Sequence, residues 1–240
     1  MTTYSELQTR VSSNVIDLPT AVSSQVATLV KNAHRWCMRE HNFWVMRATM
    51  TTGTTVSTRD LTDTLPSNWK EARGNPWYTE EAGDRHAIFW AGSRDELAKV
   101  YGTDSDIDIG APRYLLADEF SGDGDALTEV AIECWPFPDG LSTNSDGEYD
   151  ITIPYWKYLS ALTNGSQADW LTTNADEAIE FKATSDAFFK DWDEERGTLW
   201  LQRATAAFRE ARKLDKRLML SQMGGTMHFH HTGAEAPGLR

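Results

Sequence analysis

Cysteine is scarce in this chain. There are two in 240 residues, Cys37 in a helical pattern and Cys134 in a strand pattern. So few give no disulfide scaffold, and the plain reading is two small buried apolar side chains. Long hydrophobic runs are missing too. No stretch reaches about 18 apolar residues, so no membrane span is expected. The opening, MTTYSELQTR, is polar with helical spacing. It lacks the basic-then-apolar layout of a secretory signal, so the protein is expected to stay in the cytoplasm where it is made. Positive charge is also short, with 23 Lys and Arg against 36 Asp and Glu, a net charge of −13. A free-standing DNA binder needs a basic face for phosphate contacts, so this balance argues against tight DNA wrapping. It leaves room for DNA passing along a repelling acidic wall. With 40% hydrophobic and 25% charged residues the chain is globular, and its length suits one core or one core with a small appendage.

Catalytic and metal motifs are missing as well. No GxGxxG, Walker A, GxSxG or HExxH pattern occurs. Asp104, Asp106 and Asp108 have the spacing that opens a calcium loop. The positions that need Gly and a bidentate Glu hold Ile109 and Leu115, so the motif fails. His228, His230 and His231 are the most metal-like cluster, and 228 and 230 would face one way in an extended segment. No nearby cysteine or placed carboxylate completes a tetrahedral set. They read better as contact residues, with Met227 and Phe229 as apolar anchors. His34, His41 and His86 have no spaced partner. The carboxylates Glu177/Glu180 and Asp191/Asp193/Glu194/Glu195 fall at helix beginnings, where the dipole favours them. A protein without enzymatic activity, cofactor or metal is expected.

What the chain does have is tryptophan, ten residues of it, several in aromatic clusters such as Pro76-Trp77-Tyr78, Phe89-Trp90, Trp135-Pro136-Phe137 and Tyr155-Trp156. Such residues suit a core, an interface or a sugar-stacking surface, and the count does not separate these. Thr3-x-x-Glu6 is a capping box, followed by Tyr4, Leu7 and Val11 on one helical face. Pro19-Thr20 opens a second helix, expected to run about 20 residues with Val22, Val26, Leu29, Val30, Ala33, Trp36 and Cys37 as its stripe. Residues 43–51 alternate with period 2, and Gly53 then suggests a hairpin with 54–58. Ser93-x-x-Glu96 caps a short helix. Strands are expected over 86–91, 112–119, 127–135 and 149–155. A helix follows from Asn174 or Asp176 to about Lys190, and Gly197 suggests a bend before the next. Trp200, Ala204, Ala207, Phe208, Ala211, Leu214 and Leu218 keep helical period, and this stripe is expected to pack on the N-terminal helices. The fold class read from this is α+β: mainly a helical bundle of two N-terminal and two C-terminal helices, a β-rich middle insertion over 43–155, and an extended C-terminal tail. Residues 1–220 form a single domain and 221–240 a flexible tail, jointed at Gly224-Gly225.

Charge is unevenly spread. From Asp95 to Asp150 there are fifteen acidic residues against Lys99 and Arg113, and from Arg196 to Arg217 seven basic residues against Glu210 and Asp215. Either these are ordinary solvated faces, or the acidic middle of one copy meets the basic helix of another. On the second reading Arg209, Arg212, Lys213 and Arg217 are inter-subunit contacts.

Three motifs, in order, resemble a known family. They are Leu65-Pro66-Ser67-Asn68-Trp69, then Cys134-Trp135-Pro136-Phe137-Pro138-Asp139, then Tyr155 to Leu159 followed by Asp169-Trp170-Leu171 and the helix after it. Together, over residues 3 to 220, they are similar to the ring-forming head–tail connector adaptors of tailed bacteriophages, which include tail accessory factors. The resemblance implies a structural protein of the virion, at the head–tail interface. It implies a ring, commonly of twelve copies, beneath the portal. Its expected partners are the portal protein, tail or stopper and nozzle proteins, and itself. DNA would pass through the channel without specific binding, and no membrane is involved. The C-terminal segment with Met227, His228, Phe229, His230 and His231 is the expected portal contact. Two features stand apart from compact members: the acidic 95–150 region looks long, and the histidine-containing tail is not matched to a known element of the family. The competing reading is a virion-associated protein that binds or cleaves glycans, supported by the tryptophans and the carboxylates.

Overall fold

The computed structural model describes residues 1–56, 58–79, 84–102, 109–117, 131–139 and 148–222. The tail cluster 227–231 and the Asp104, Asp106, Asp108 run lie outside the described residues. The fold is mixed α and β, with helices at both ends of the sequence and strands between them. Two compact units result. One comprises Met1–Cys37 with the chain from Thr163 onward, and the other is Met38–Leu162.

The helical unit begins where the sequence says it should. Thr3 caps α1 (Tyr4–Asn14) through a full capping box. The Thr3 amide donates to Glu6 Oε2 at 2.7 Å, and the Glu6 amide to Thr3 Oγ1 at 3.3 Å. The expected second helix is split into α2 (Thr20–Ser23) and α3 (Val26–Glu40). The break has a local cause. Ser24 Oγ and Gln25 Nε2 both donate to the Ala21 carbonyl, at 3.3 and 2.9 Å, competing with backbone donors for the ladder. After Asp169 caps α5 (Trp170–Asn174), the chain runs through α6 (Asp176–Lys190) and α7 (Glu194–Gln222). Helix α7 therefore reaches beyond Leu220, and residues 221 and 222 are helical rather than extended.

Small side chains let these helices approach closely. Ala178, Ala183 and Ala187 on α6 and Ala204 and Ala211 on α7 are all buried. Gly197, expected as a bend, lies inside α7. A β-carbon there would meet the Phe189 ring at 2.8 Å, so the glycine serves close packing. The Ser185 hydroxyl donates to the Gly197 carbonyl at 2.8 Å across the same contact. Arg10 on α1 bonds Asp176 at 3.0 Å and Asn14 bonds Glu180 at 2.9 Å, which ties the first helix to α6. The α7 stripe packs mainly on α6, and Phe208 also meets Trp36 of α3 with ring centroids 4.9 Å apart.

The β unit is organised by its last strand. Strands β1 (Arg47–Gly53), β2 (Trp69–Ala72), β3 (Trp77–Thr79), β4 (Arg85–Ala87), β5 (Phe89–Trp90), β6 (Tyr114–Ala117), β7 (Ile132–Trp135) and β8 (Asp150–Lys157) follow in order, with a short helix α4 (Arg94–Tyr101) between β5 and β6. The expected hairpin at Gly53 does not form. β1 instead pairs antiparallel with β8, Arg47 opposite Trp156 through Gly53 opposite Asp150. The other edge of β8 carries β2 at Tyr155–Lys157 and β3 at Ile151 and Thr152. Pro154 falls where that edge passes from one partner to the other, and its carbonyl accepts from the Arg73 amide at 3.0 Å. A smaller sheet has the order β5-β6-β7, with β5 parallel to β6. Ile151, Ile153, Ile88, Leu115, Ile132 and Cys134 fill the core beneath these strands, all at most 1% exposed.

Phe208→Ala is expected to cost about 3–5 kcal/mol, because it removes a buried ring and its contact with Trp36. Thermal or chemical denaturation checks this. An unchanged midpoint would mean the α7 stripe is not packed.

Candidate interaction surfaces

The basic stretch of α7 forms a face. Arg209, Arg212, Lys213, Lys216 and Arg217 are all exposed, whereas Ala204, Phe208 and Ala211 on the same helix are buried. Lys213 pairs with Glu210 at 2.6 Å, and the cations cluster in the C-terminal half of the helix. The acidic region from 95 to 150 is described only in part. Within it Glu133 is buried in the β unit, where it accepts from Arg94 and from Trp135 Nε1. Asp139 accepts from the Tyr149 hydroxyl at 2.8 Å. Those two carboxylates are thus used within the fold rather than offered outward.

Two loops meet at one end of the helical unit. Arg196, in the first turn of α7, bonds Asp193 in the α6–α7 connection and Asp17 in the α1–α2 connection, both at 2.5 Å. Its guanidinium lies 4.6 Å over the Phe188 ring. This holds Asp17 and Asp193 below the usual carboxylate range through their hydrogen bonds to Arg196, joined for Asp193 first by the Arg196 amide. The connection itself is a Schellman ending of α6. The Asp193 amide donates to the Phe188 carbonyl at 3.0 Å and the Trp192 amide to the Phe189 carbonyl at 3.2 Å. Position C′ of that motif needs the left-handed region and is usually glycine. Here it is Trp192, at φ 62°, the one non-glycine with positive φ among the described residues. The conformation costs a non-glycine about 1–2 kcal/mol. Asp193 then caps α7, accepting from the Arg196 amide at 2.9 Å. All ten tryptophans are described, and only Trp192 is exposed, at 89%. Ile16, beside Asp17, is 86% exposed.

The β unit carries a pocket of about 230 Å³ lined by Leu65, Trp69, Lys70, Glu71, Ala72, Trp90 and Ala117. Trp69 stacks on Tyr155 with centroids 4.8 Å apart and meets Trp90 edge-on at 6.1 Å. Lys70, at its edge, donates to the Met38 carbonyl at 2.5 Å and to Asn42 Oδ1 at 2.7 Å, and burial pulls its pKa down. Cys134, in β7 of the smaller sheet, has its thiol pushed up to about 12 by burial, and neither cysteine is bonded to the other. Among the described residues no three His, Cys, Asp or Glu side chains gather as a metal site, and no helix is long and apolar enough to cross a membrane.

A family model described as SU10 adaptor protein matches residues 2–226, from the cap of α1 past the end of α7. The chain belongs to this family. No curated protein matches it. The SU10 adaptor family is one of structural phage proteins, so the chain is an adaptor component of a virion. Within this adaptor the three sequence motifs become packing devices. Leu65 and Trp69 of the first and Tyr155 of the third are buried in one core, with Trp69 stacked on Tyr155. The second motif contributes Trp135 and Phe137, which flank the Arg59 guanidinium at 3.8 and 4.9 Å. Its Trp135-Pro136 peptide is cis. Asp169 belongs to the helical unit, where it bonds the buried His34 at 2.7 Å and caps α5 through Thr172. His34, which has no spaced partner in sequence, thus finds one through the fold. Trp192 and Ile16 went unseen in the sequence. The available signal was the lack of glycine or asparagine where α6 must end.

Burial alone would raise the Asp169 pKa. The hydrogen bond and charge of His34, with the Thr172 donors, outweigh it and hold the carboxyl below its ordinary value of 3.8. A depressed carboxylate stabilises the fold above its unfolded pKa and loses that contribution as pH falls through the folded value. Asp169→Asn is therefore expected to lower the melting temperature above about pH 5, with the gap closing below about pH 4. A gap that persists unchanged at pH 2 would contradict the depressed Asp169 carboxylate.

Proposed function

We propose that the chain is the head-to-tail adaptor of a tailed bacteriophage, assembling as a ring of twelve copies beneath the portal. The family match across residues 2–226 carries the reading. The ring extends the DNA channel and offers its far side to tail, stopper or nozzle proteins. Twelve copies at −13 each give a field of about −150, which suits a conduit that lets DNA slide without holding it. The protein works as structure and catalyses nothing. Residues 1–220 serve as a single adaptor domain and 221–240 as the docking tail, with Met227, His228, Phe229, His230 and His231 as its contacts to the portal. The exposed face of Arg209, Arg212, Lys213 and Arg217 supports a polar contact between copies, because exposed cations on a chain this acidic find complementary surface readily.

Mixing the protein with its portal at 50 mM salt is expected to give a complex of fixed stoichiometry by sedimentation. At about 1 M salt the Debye length falls to roughly 3 Å and the complex should weaken. Arg212→Glu with Lys213→Glu should produce the same loss at low salt while changing folding stability by no more than about 0.5 kcal/mol per site, as expected for exposed positions. Assembly indifferent to both salt and charge reversal would remove the basic face from the interface. Deleting residues 223–240 should preserve the fold and weaken portal attachment. Normal docking by the truncated chain would rule out the tail as the contact.

A further inference from the structure

The larger sheet has two faces of opposite character. Successive residues of a strand point to opposite sides, and residues opposite each other on paired strands share a side. Ile151, Ile153 and Tyr155 of β8, with Tyr78 of β3, face the core and are buried. The alternate residues make up the outer face. There Arg47 stands opposite Trp156, and Arg73, whose amide bonds the Pro154 carbonyl, follows β2 on the same side. Trp77 stands opposite Thr152, and Arg85 opposite Thr79, two residues further along β3. Three arginines and two tryptophans thus share one face on a chain of net charge −13.

Arg10, Arg94 and Arg196 have carboxylate partners within the chain. Among the described residues Arg47, Arg73 and Arg85 make no ion pair and no side-chain hydrogen bond. Two of them lie over indoles instead, Arg47 at 5.5 Å from the Trp156 ring centroid and Arg85 at 5.1 Å from that of Trp77. Arg47 and Arg73 are half-buried, each with its Nε out of contact with solvent. Stacking and partial burial hold these side chains against the sheet, so they lose little freedom when a partner binds. A guanidinium stacked on an indole keeps its in-plane N–H groups for a forked bond to a carboxylate. The face's own carboxylates lie at its margins. Glu71 accepts from Asn42 Nδ2, and Asp150 stands in the last row, opposite Gly53.

We propose that this outer face of the larger sheet is the docking site for a carboxylate-bearing surface of a tail-side protein. Charge complementarity argues for that occupant: three held cations without acid partners, on an otherwise acidic chain, match acids supplied from outside. Arginine beside tryptophan is also the composition of interface hot spots. DNA fits less well. The chain's net charge repels a polyanion, and Trp77 and Trp156 already carry guanidinium groups where bases would stack. The inference rests on the adaptor reading above and names the part of the chain that receives the tail.

Phenylglyoxal, which modifies arginine, tests the face in four samples: the free chain, the chain docked on its portal, complete virions, and virions emptied of DNA. Mass spectrometry quantifies the modification at each arginine. Arg47, Arg73 and Arg85 are expected to react in the first two samples and to be protected at least tenfold in both kinds of virion. Protection already present on the portal would assign the face to the portal or a neighbouring copy and overturn the proposal. Protection lost with the DNA would make it a DNA contact and do the same. Arginines as reactive in the virion as in the free chain would overturn it outright. In parallel, the triple variant Arg47→Gln, Arg73→Gln, Arg85→Gln should dock on the portal like wild type yet recruit tail at least tenfold less. The corresponding triple lysine variant, which keeps the charge, should recover most of that loss. Normal recruitment by a folded glutamine variant would overturn the proposal, and if that variant fails to fold, the wild-type protection pattern still decides. A wild-type chain that does not dock on its portal would overturn the adaptor reading itself, whereas a docked chain whose three arginines stay reactive in the virion overturns the docking face alone.

Discussion

The pairing of β1 with β8 is the constraint on which the rest of the structure depends. It sets Arg47 opposite Trp156 and Gly53 opposite Asp150, so the strand that opens the β unit lies against the strand that closes it. Entry and exit of a long insertion are thereby held side by side, the arrangement in which a domain tolerates having another inserted within it. The same strand presents Ile151, Ile153 and Tyr155 to the core and gives its second edge to β2 and β3. A slip of one residue would turn those side chains to the opposite face, so burial fixes the register. Tyr155 also receives the stacked Trp69, which links the turn at Leu65-Pro66 to this strand.

The helical parts were the legible ones. Thr3 and Glu6 announce α1 because a capping box is a local device, complete within four residues. The α6 boundaries and the apolar stripe of α7 follow from periodicity for the same reason. The strands were found approximately, but their partners were not. Gly53 looked like a hairpin because nothing within a dozen residues says that β1 pairs with a strand about a hundred residues later. The family motifs fared differently: their order was visible, yet their physical role, the Trp69–Tyr155 stack and the Arg59 guanidinium between Trp135 and Phe137, needed the fold. Of the candidate site residues, Arg209, Arg212, Lys213 and Arg217 stand exposed on one helix, and the 227–231 cluster lies outside the described residues.

The connection between α6 and α7 shows where propensity misleads at a helix end. Sequence reading looks for glycine at a helix end and found it at Gly197, which in fact lies inside α7 against Phe189. The real stop uses Trp192 in a strained conformation held by two backbone hydrogen bonds and the Asp193 cap. Local rules are broken most often where a residue answers to something outside its own fold.

Electron microscopy of the protein bound to its portal tests the central claim most directly. The account predicts a closed ring coaxial with the portal channel, with every copy in the same environment and the channel continuous through both. Scattered single copies on the portal, or an open helical array of the protein without closure, would contradict it.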